Sequence, residues 1–271
     1  MPARLDLDAY GDALGDAATV LRENARLAGA GAPVPTCPGW TVGDLVLHTG
    51  LVHRWAAAIL RGASPRDAGP IDVPADGAGA AALARDAGLT GDPYEWYDAQ
   101  CADLLQAVVD TDPDADVWFF LRDAPPPRLG WTRRQAHEVT VHAVDAMASR
   151  LGRAPAVREL WFRSALAVDG VDELLTGFVP RPSARLRSAT PYRLLVEAAD
   201  TGDGWLLEVA QEPVVTTPLA PGESRPDHDE RFTADAVPLY LHLWNREPDG
   251  SVLDCTDPAV LARWREQLRV V

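Results

Sequence analysis

The sequence contains no lysine: all 25 of its basic residues are arginine. Together with abundant Ala, Gly, Asp and Pro, that absence points to a high-GC bacterial genome. The basic residues are outnumbered by 40 acidic ones, for a formal net charge of −15. Phosphate backbones and anionic membrane surfaces repel such a chain, so neither nucleic acid nor membrane is an expected partner. The small basic cluster from Arg181 to Arg187 reads as a solvated face. Cysteine is scarce. Cys37, Cys101 and Cys255 are odd in number, far apart and without a CxxC pair, which argues against a disulfide framework or a structural zinc knuckle. No apolar run reaches the length needed to span a bilayer. Met1 to Tyr10 lacks the apolar stretch of a secretory signal, so the expected location is cytoplasmic. Also missing are a Gly-rich phosphate loop, a G-x-S-x-G elbow and a dinucleotide-binding fingerprint.

What is present suffices for a sizeable core: 271 residues, 47% of them hydrophobic, with nine Trp. That length allows roughly two ordinary domains. Leu5 to Ala28 carries Leu5, Tyr10, Leu14, Ala17, Ala18, Leu21, Ala25 and Ala28 at helical spacing. A second helix runs from Thr41 to about Arg61, with Thr41 as cap and Asp44 three residues on. Residues 62–92 read as a long loop with a short helical piece near Gly79 to Ala87. Pro93 to Asp110 is a third long helix, its core side formed by Trp96, Leu104, Leu105 and Val108. A fourth follows from Thr132, as N-cap after Gly130, to about Leu151. Four amphipathic helices predict a bundle.

After Gly152 and Pro155 the texture changes. A fifth helix is expected over Val157 to Leu175, then strands over Tyr192 to Glu197 and Trp205 to Val209 about a hairpin turn at Asp200–Gly204. Val214 to Thr217 is a further strand, and Ala234 to Arg246 and Pro258 to Arg269 read as helices. The fold class is therefore α+β, a bundle over 1–153 followed by an α/β domain over 154–271.

Chemistry concentrates in the fourth helix. Glu138 and His142 are four residues apart, on one face and one turn from each other. A carboxylate and an imidazole so placed can grip one divalent ion. His137 and His142 are five apart, about 140° around the helix, and cannot share that ion. Glu138 with His142 alone is also an ordinary helix pair. His48, in the middle of the second helix, changes the balance: with it, two imidazoles and one carboxylate leave an open position, as in catalytic zinc sites. Asp44 lies one turn from His48 and either orients a ligand or only caps its helix. Asp145 is a second candidate for orienting a ligand, and His53 and His137 are either supporting groups or packed side chains. His228 sits in a polar loop.

Two stretches carry a family resemblance. Pro35-Thr36-Cys37-Pro38-Gly39-Trp40-Thr41-Val42, continuing through Asp44-Leu45 to His48 and His53-Arg54-Trp55, resembles the N-terminal signature of the mycothiol-dependent maleylpyruvate isomerase family. Arg134 to Asp145, with its His-Glu-x-x-x-His string, resembles the second signature. The family belongs to the DinB/YfiT-like metalloenzymes of actinobacteria. The resemblance implies a DinB-like four-helix bundle followed by a smaller sterol-carrier-like α/β domain. It implies a metal triad at His48, Glu138 and His142, a divalent ion, zinc in the isomerase, and mycothiol as cosubstrate. It also makes Cys37 structural and Arg246, after Leu241-His242-Leu243-Trp244-Asn245, a clamp for a substrate carboxylate. A surface arginine near a helix C-terminus is the competing reading.

The expected function is thus a metal-dependent enzyme using a low-molecular-weight thiol for S-transfer to, or thiol-assisted isomerisation of, a small electrophile. A non-catalytic binding protein for an apolar ligand and a thiol-independent metal hydrolase are the alternatives. Oligomeric state is not legible.

Overall fold

The computed structural model describes residues 4–121 and 124–268. The chain forms two compact units, one built on residues 2–120 and 124–155 and the other mainly on 156–271.

The first unit is helical: α1 (Leu7–Ala28), α2 (Val42–Leu60), α3 (Gly77–Asp86), α4 (Pro93–Asp110) and α5 (Pro127–Leu151). Helix α1 packs chiefly on α5 and α2 chiefly on α4, with α2 also meeting α5. Local chemistry explains the boundaries. Asp6 accepts from the Ala9 amide at 2.9 Å to start α1. Thr41 and Asp44 form a full capping box on α2, with Thr41 N donating to Asp44 Oδ2 at 2.9 Å. Pro93 and Pro127 open α4 and α5, where a missing N–H costs nothing. The short α3 buries none of its residues and stands in the expected helical part of the long loop.

Two local expectations are corrected. On α4 the buried side is Tyr97, Cys101, Leu104, Ala107 and Val108, whereas Trp96 and Leu105 are only half-buried. Trp96 instead lies across Gly50 of α2, where an added Cβ would come within 2.2 Å of its ring. Thr132 is not the cap of α5. The helix begins at Pro127, and the Thr132 hydroxyl donates back to the Arg128 carbonyl at 2.8 Å. Gly130 does not break the helix because it serves packing: an added Cβ would sit 3.1 Å from the Phe119 ring. From Gly130 to Ala148 nearly every residue of α5 is buried, so α5 is the central rod of this unit.

The second unit contains α6 (Ser164–Asp172), continued by a π-helical turn over Glu173–Phe178, then β1 (Tyr192–Ala198), β2 (Gly204–Val209), β3 (Val215–Leu219), β4 (Glu230–Ala234), α7 (Ala236–Leu243), β5 (Asp254–Cys255) and α8 (Pro258–Gln267). The sheet order is β3-β2-β1-β4-β5, with β1 and β4 parallel and the other pairs antiparallel. The hairpin forms as expected, with Val196 opposite Trp205 and Leu194 opposite Leu207. Leu195, Leu206 and Leu219 make one apolar cluster across three strands. Trp205 donates its indole N–H to Asp172 at 3.0 Å, and Trp264 to the Leu243 carbonyl at 3.1 Å.

The single fifth helix expected over 157–175 does not exist. A 3-10 turn over Val157–Glu159 is closed by Glu159, which accepts from the Ala156 amide at 2.7 Å. Leu160 and Arg163 are then extended, and Phe162 between them is buried against Tyr240. Strand β4 carries one large apolar residue, Phe232, too little alternation to be seen in the sequence. Helix α7 stops at Leu243 because Asn245 turns left-handed at φ 60°, and the Arg246 amide closes back on the Leu241 carbonyl at 2.7 Å. Arg246 therefore follows the helix cap. Among the described residues no helix is long and apolar enough to cross a membrane.

Candidate metal centre

Helix α2 brings His48, and α5 brings Glu138 and His142, to one point in the first unit. One ligand atom from each lies within 4.8 Å of the others. The converging atoms are specific: Glu138 Oε1 is 3.5 Å from His48 Nε2 and 3.3 Å from His142 Nε2. The two imidazole rings stand nearly perpendicular, with centroids 5.3 Å apart.

Each imidazole is fixed from behind. His48 Nδ1 lies 3.0 Å from the carbonyl of Ile71, in the long loop after α2. A carbonyl only accepts, so Nδ1 carries the proton and Nε2 of the neutral ring is a lone pair. That Nε2 is buried and makes no hydrogen bond. A buried lone pair facing a carboxylate oxygen is unfavourable unless a cation or proton lies between them. His142 Nδ1 meets Asp145 Oδ2 at 2.9 Å, a carboxylate–imidazole arrangement that sets ring orientation and raises ligand basicity. Asp145 is itself held: Thr36 Oγ1 donates to Oδ1 at 2.5 Å and Cys37 Sγ to Oδ2 at 3.4 Å. Cys37, His142 and Asp145 also lie close enough to suggest a ligand group, but these hydrogen bonds account for their approach.

The electrostatics suit a cation. Burial opposes ionisation of Glu138, but the facing imidazoles of His142 and His48 and the charge of Arg134 outweigh it and hold the carboxyl well below its usual range. For His142 burial works against the charged ring, yet Asp145 and Glu138 push its pKa up to about 9. A divalent ion at Nε2 would compete with that proton. Trp40 covers the site, stacked on His142 with 17° between planes and edge-on to His48 at 5.0 Å. Two nitrogens, one carboxylate oxygen and an orphaned buried Nε2 are a donor set that fits zinc or a similar divalent ion.

The other sequence candidates fall elsewhere. His137 is fully buried beside Tyr10, and its ring does not join the triad. His53 is buried with Nδ1 2.8 Å from Gln135 Oε1 and Nε2 3.4 Å from Tyr97 Oη. Asp44 caps α2 through Thr41. His228 and His242 belong to the second unit, where His228 Nδ1 lies 3.0 Å from the Pro226 carbonyl and His242 Nε2 3.0 Å from Ser251 Oγ. Arg246, in the same unit, is buried and donates to the Trp244 carbonyl at 2.8 Å. Sequence reasoning assigned no role to Arg134, whose Nη2 is 3.1 Å from Glu138 Oε2, or to Trp40. Arg134 lies four residues before Glu138, a spacing that could have revealed the pair.

A helical bundle with two histidines and a glutamate converging from two of its helices, followed by a sheet unit, defines the class of protein. Residues 8–147 match the mycothiol maleylpyruvate isomerase N-terminal domain, just over half of the chain, and the protein belongs to that family. Among solved structures it is similar to the mycothiol-dependent maleylpyruvate isomerase, at 15% identity and a TM-score of 0.58, covering 94% of this chain and 96% of that one. A histidine-to-alanine mutant of that isomerase matches over the same shares with a TM-score of 0.58 at 14% identity. At such identity the likeness speaks for the fold: a helical N-terminal part and a sheet-bearing C-terminal part. No curated protein sequence matches significantly.

Proposed function

We propose that this protein is a metal-dependent enzyme that uses mycothiol for S-transfer to, or thiol-assisted isomerisation of, a small electrophilic substrate. Membership of the mycothiol maleylpyruvate isomerase family supports the thiol. The observation that carries the metal is the convergence of His48 Nε2, Glu138 Oε1 and His142 Nε2, with the first buried and otherwise unpartnered. A divalent ion held there, zinc in this proposal, supplies the Lewis acidity that makes a thiol anionic at neutral pH.

The chain's own groups set the rest. Asp145 and the Ile71 carbonyl aim the two imidazoles, Glu138 stays ionised between them, and Trp40 shields the rings from water. Neither cysteine of the helical unit competes for the nucleophilic role, because Cys37 is buried on Asp145 and burial pushes Cys101 up to about 11. In the proposed reaction the sulfur adds to an electrophilic carbon. Its release after bond rotation gives isomerisation, and its retention gives S-transfer. Residues 1–153 are the metal-binding domain of this proposal and 154–271 a sterol-carrier-like domain that carries Arg246, whose guanidinium fork suits a substrate carboxylate.

The test is metal analysis combined with thiol titration and turnover. The purified protein is expected to carry one divalent ion, to bind mycothiol, and to lose both in His48→Ala. Maleylpyruvate is the first electrophile to try, with Arg246→Lys expected to raise KM. A protein with neither metal nor thiol affinity overturns the proposal; turnover that needs no thiol converts it to a hydrolase.

A further inference from the structure

We propose that Arg134 is a positioning residue that keeps Glu138 a one-oxygen ligand, and so preserves an open coordination position. This rests on the metal-dependent reading above. The two oxygens of Glu138 have divided roles in the structure. Oε1 is the atom that approaches both imidazoles, at 3.5 and 3.3 Å. Oε2 accepts from Arg134 Nη2 at 3.1 Å.

A carboxylate can bind a metal through one oxygen or both, and small changes in its tilt decide which. If both oxygens of Glu138 bound, the protein would supply four donors, and an exchangeable ligand could join only as a fifth. With Oε2 engaged by Arg134, it supplies three. The fourth position then belongs to an exchangeable ligand, as catalytic sites require. Arginine is suited to this work. It has no acceptor atom, it remains protonated, and it therefore cannot become a ligand itself. It projects from the same face of α5 as Glu138, one turn earlier, on a helix buried along most of its length. The Arg134 side chain is 4% exposed against 20% for Glu138, so the guanidinium is held beneath the carboxylate and not in solvent. Its positive charge also offsets that of Glu138, which leaves more of the ion's charge to attract an anionic sulfur.

Cobalt(II) in place of zinc reports coordination number directly, because its visible bands weaken as donors are added. The full chain, stripped and reloaded with cobalt(II), is expected to show intense four-coordinate bands. Arg134→Met should lose much of that intensity as Oε2 joins the ion, and it should bind added thiol more weakly. Arg134→Lys, which keeps a charged donor near Oε2, should retain the wild-type spectrum. Should the Met protein fail to fold, Arg134→Gln, uncharged and too short to reach, carries the same expectation. Identical cobalt spectra and thiol affinity in the wild type and the neutral variants overturn the role of Arg134. A wild-type protein that takes up no cobalt overturns instead the metal reading on which it rests.

Discussion

Asp145 Oδ2 stands 2.9 Å from His142 Nδ1, while the other oxygen of Asp145 accepts from Thr36, so one buried carboxylate ties the Pro35–Trp40 stretch to a candidate metal ligand. Trp40, at the end of that stretch, stacks on the same imidazole. Ring orientation and cover thus depend on a single side chain. Asp145→Asn keeps the shape but removes the charge that fixes the Nδ1 proton. Loss of such an orienting partner typically weakens metal affinity by about 10–100-fold. Zinc competition with a chromophoric chelator measures this, and an unchanged affinity would show that the ring needs no anchor.

His53, which is not one of the candidate ligands, gives a pH prediction. Burial lowers its pKa from 6.5 to about 4, a shift that the hydrogen bond with Gln135 only partly opposes. Between those values the unfolded chain takes up a proton that the folded protein refuses. The stabilisation from neutral His53 is therefore complete above pH 6.5 and drains away as the pH falls towards 4. At about 1.4 kcal/mol per pKa unit this is on the order of 3 kcal/mol. His53→Gln, which cannot titrate, should show a flatter loss of urea stability from pH 7 to 4.5. Equal slopes for the two proteins would remove His53 from the acid sensitivity.

Local chemistry made much of the bundle legible. Thr41 with Asp44, and Pro93 after Asp92, mark helix starts through contacts within three residues, and the structure begins α2 and α4 there. Thr132 misled because Gly130 resembles a breaker, and only Phe119, brought against it by tertiary packing, explains why glycine sits inside a helix. The pairing of Glu138 with His142 follows from helical period. That His48 comes to meet them depends on how α2 sits against α5, which period alone does not specify. Strand β4 and the break at Leu160–Arg163 were hidden for a related reason: Phe232 and Phe162 take their places from partners distant in sequence.

The three thiols should differ sharply in reactivity. Cys101 is buried and pushed up to about 11, and Cys37 is buried with its sulfur donating to Asp145, whereas Cys255 is partly exposed on the short strand β5. Thiolate attack on a disulfide reagent requires both access and ionisation. The native protein should therefore react at one cysteine quickly, and Cys255→Ser at none on that timescale. Denaturant should expose all three in the wild type. Rapid modification of the native Cys255→Ser protein would mean that the bundle opens far more readily than its burial implies.

Gly50 and Gly11 make opposite predictions from the same substitution. Both lie within helices, where alanine is usually favoured over glycine by about 0.5–1 kcal/mol. Around Gly11 nothing lies within 4 Å of the added Cβ, so Gly11→Ala should raise stability by roughly that amount. At Gly50 the Cβ would meet Trp96 at 2.2 Å, and a rigid indole seated between α2 and α4 has little freedom to retreat. Overpacking of this kind costs about 1–3 kcal/mol, more than the propensity gain. Gly50 is also two residues from His48 on α2. If α2 shifts to relieve the clash, His48 Nε2 moves relative to Glu138, and Gly50→Ala should lose metal affinity as well as thermal stability. Calorimetry and metal titration on both variants separate the cases; a Gly50→Ala protein as stable as the wild type would place Trp96 elsewhere.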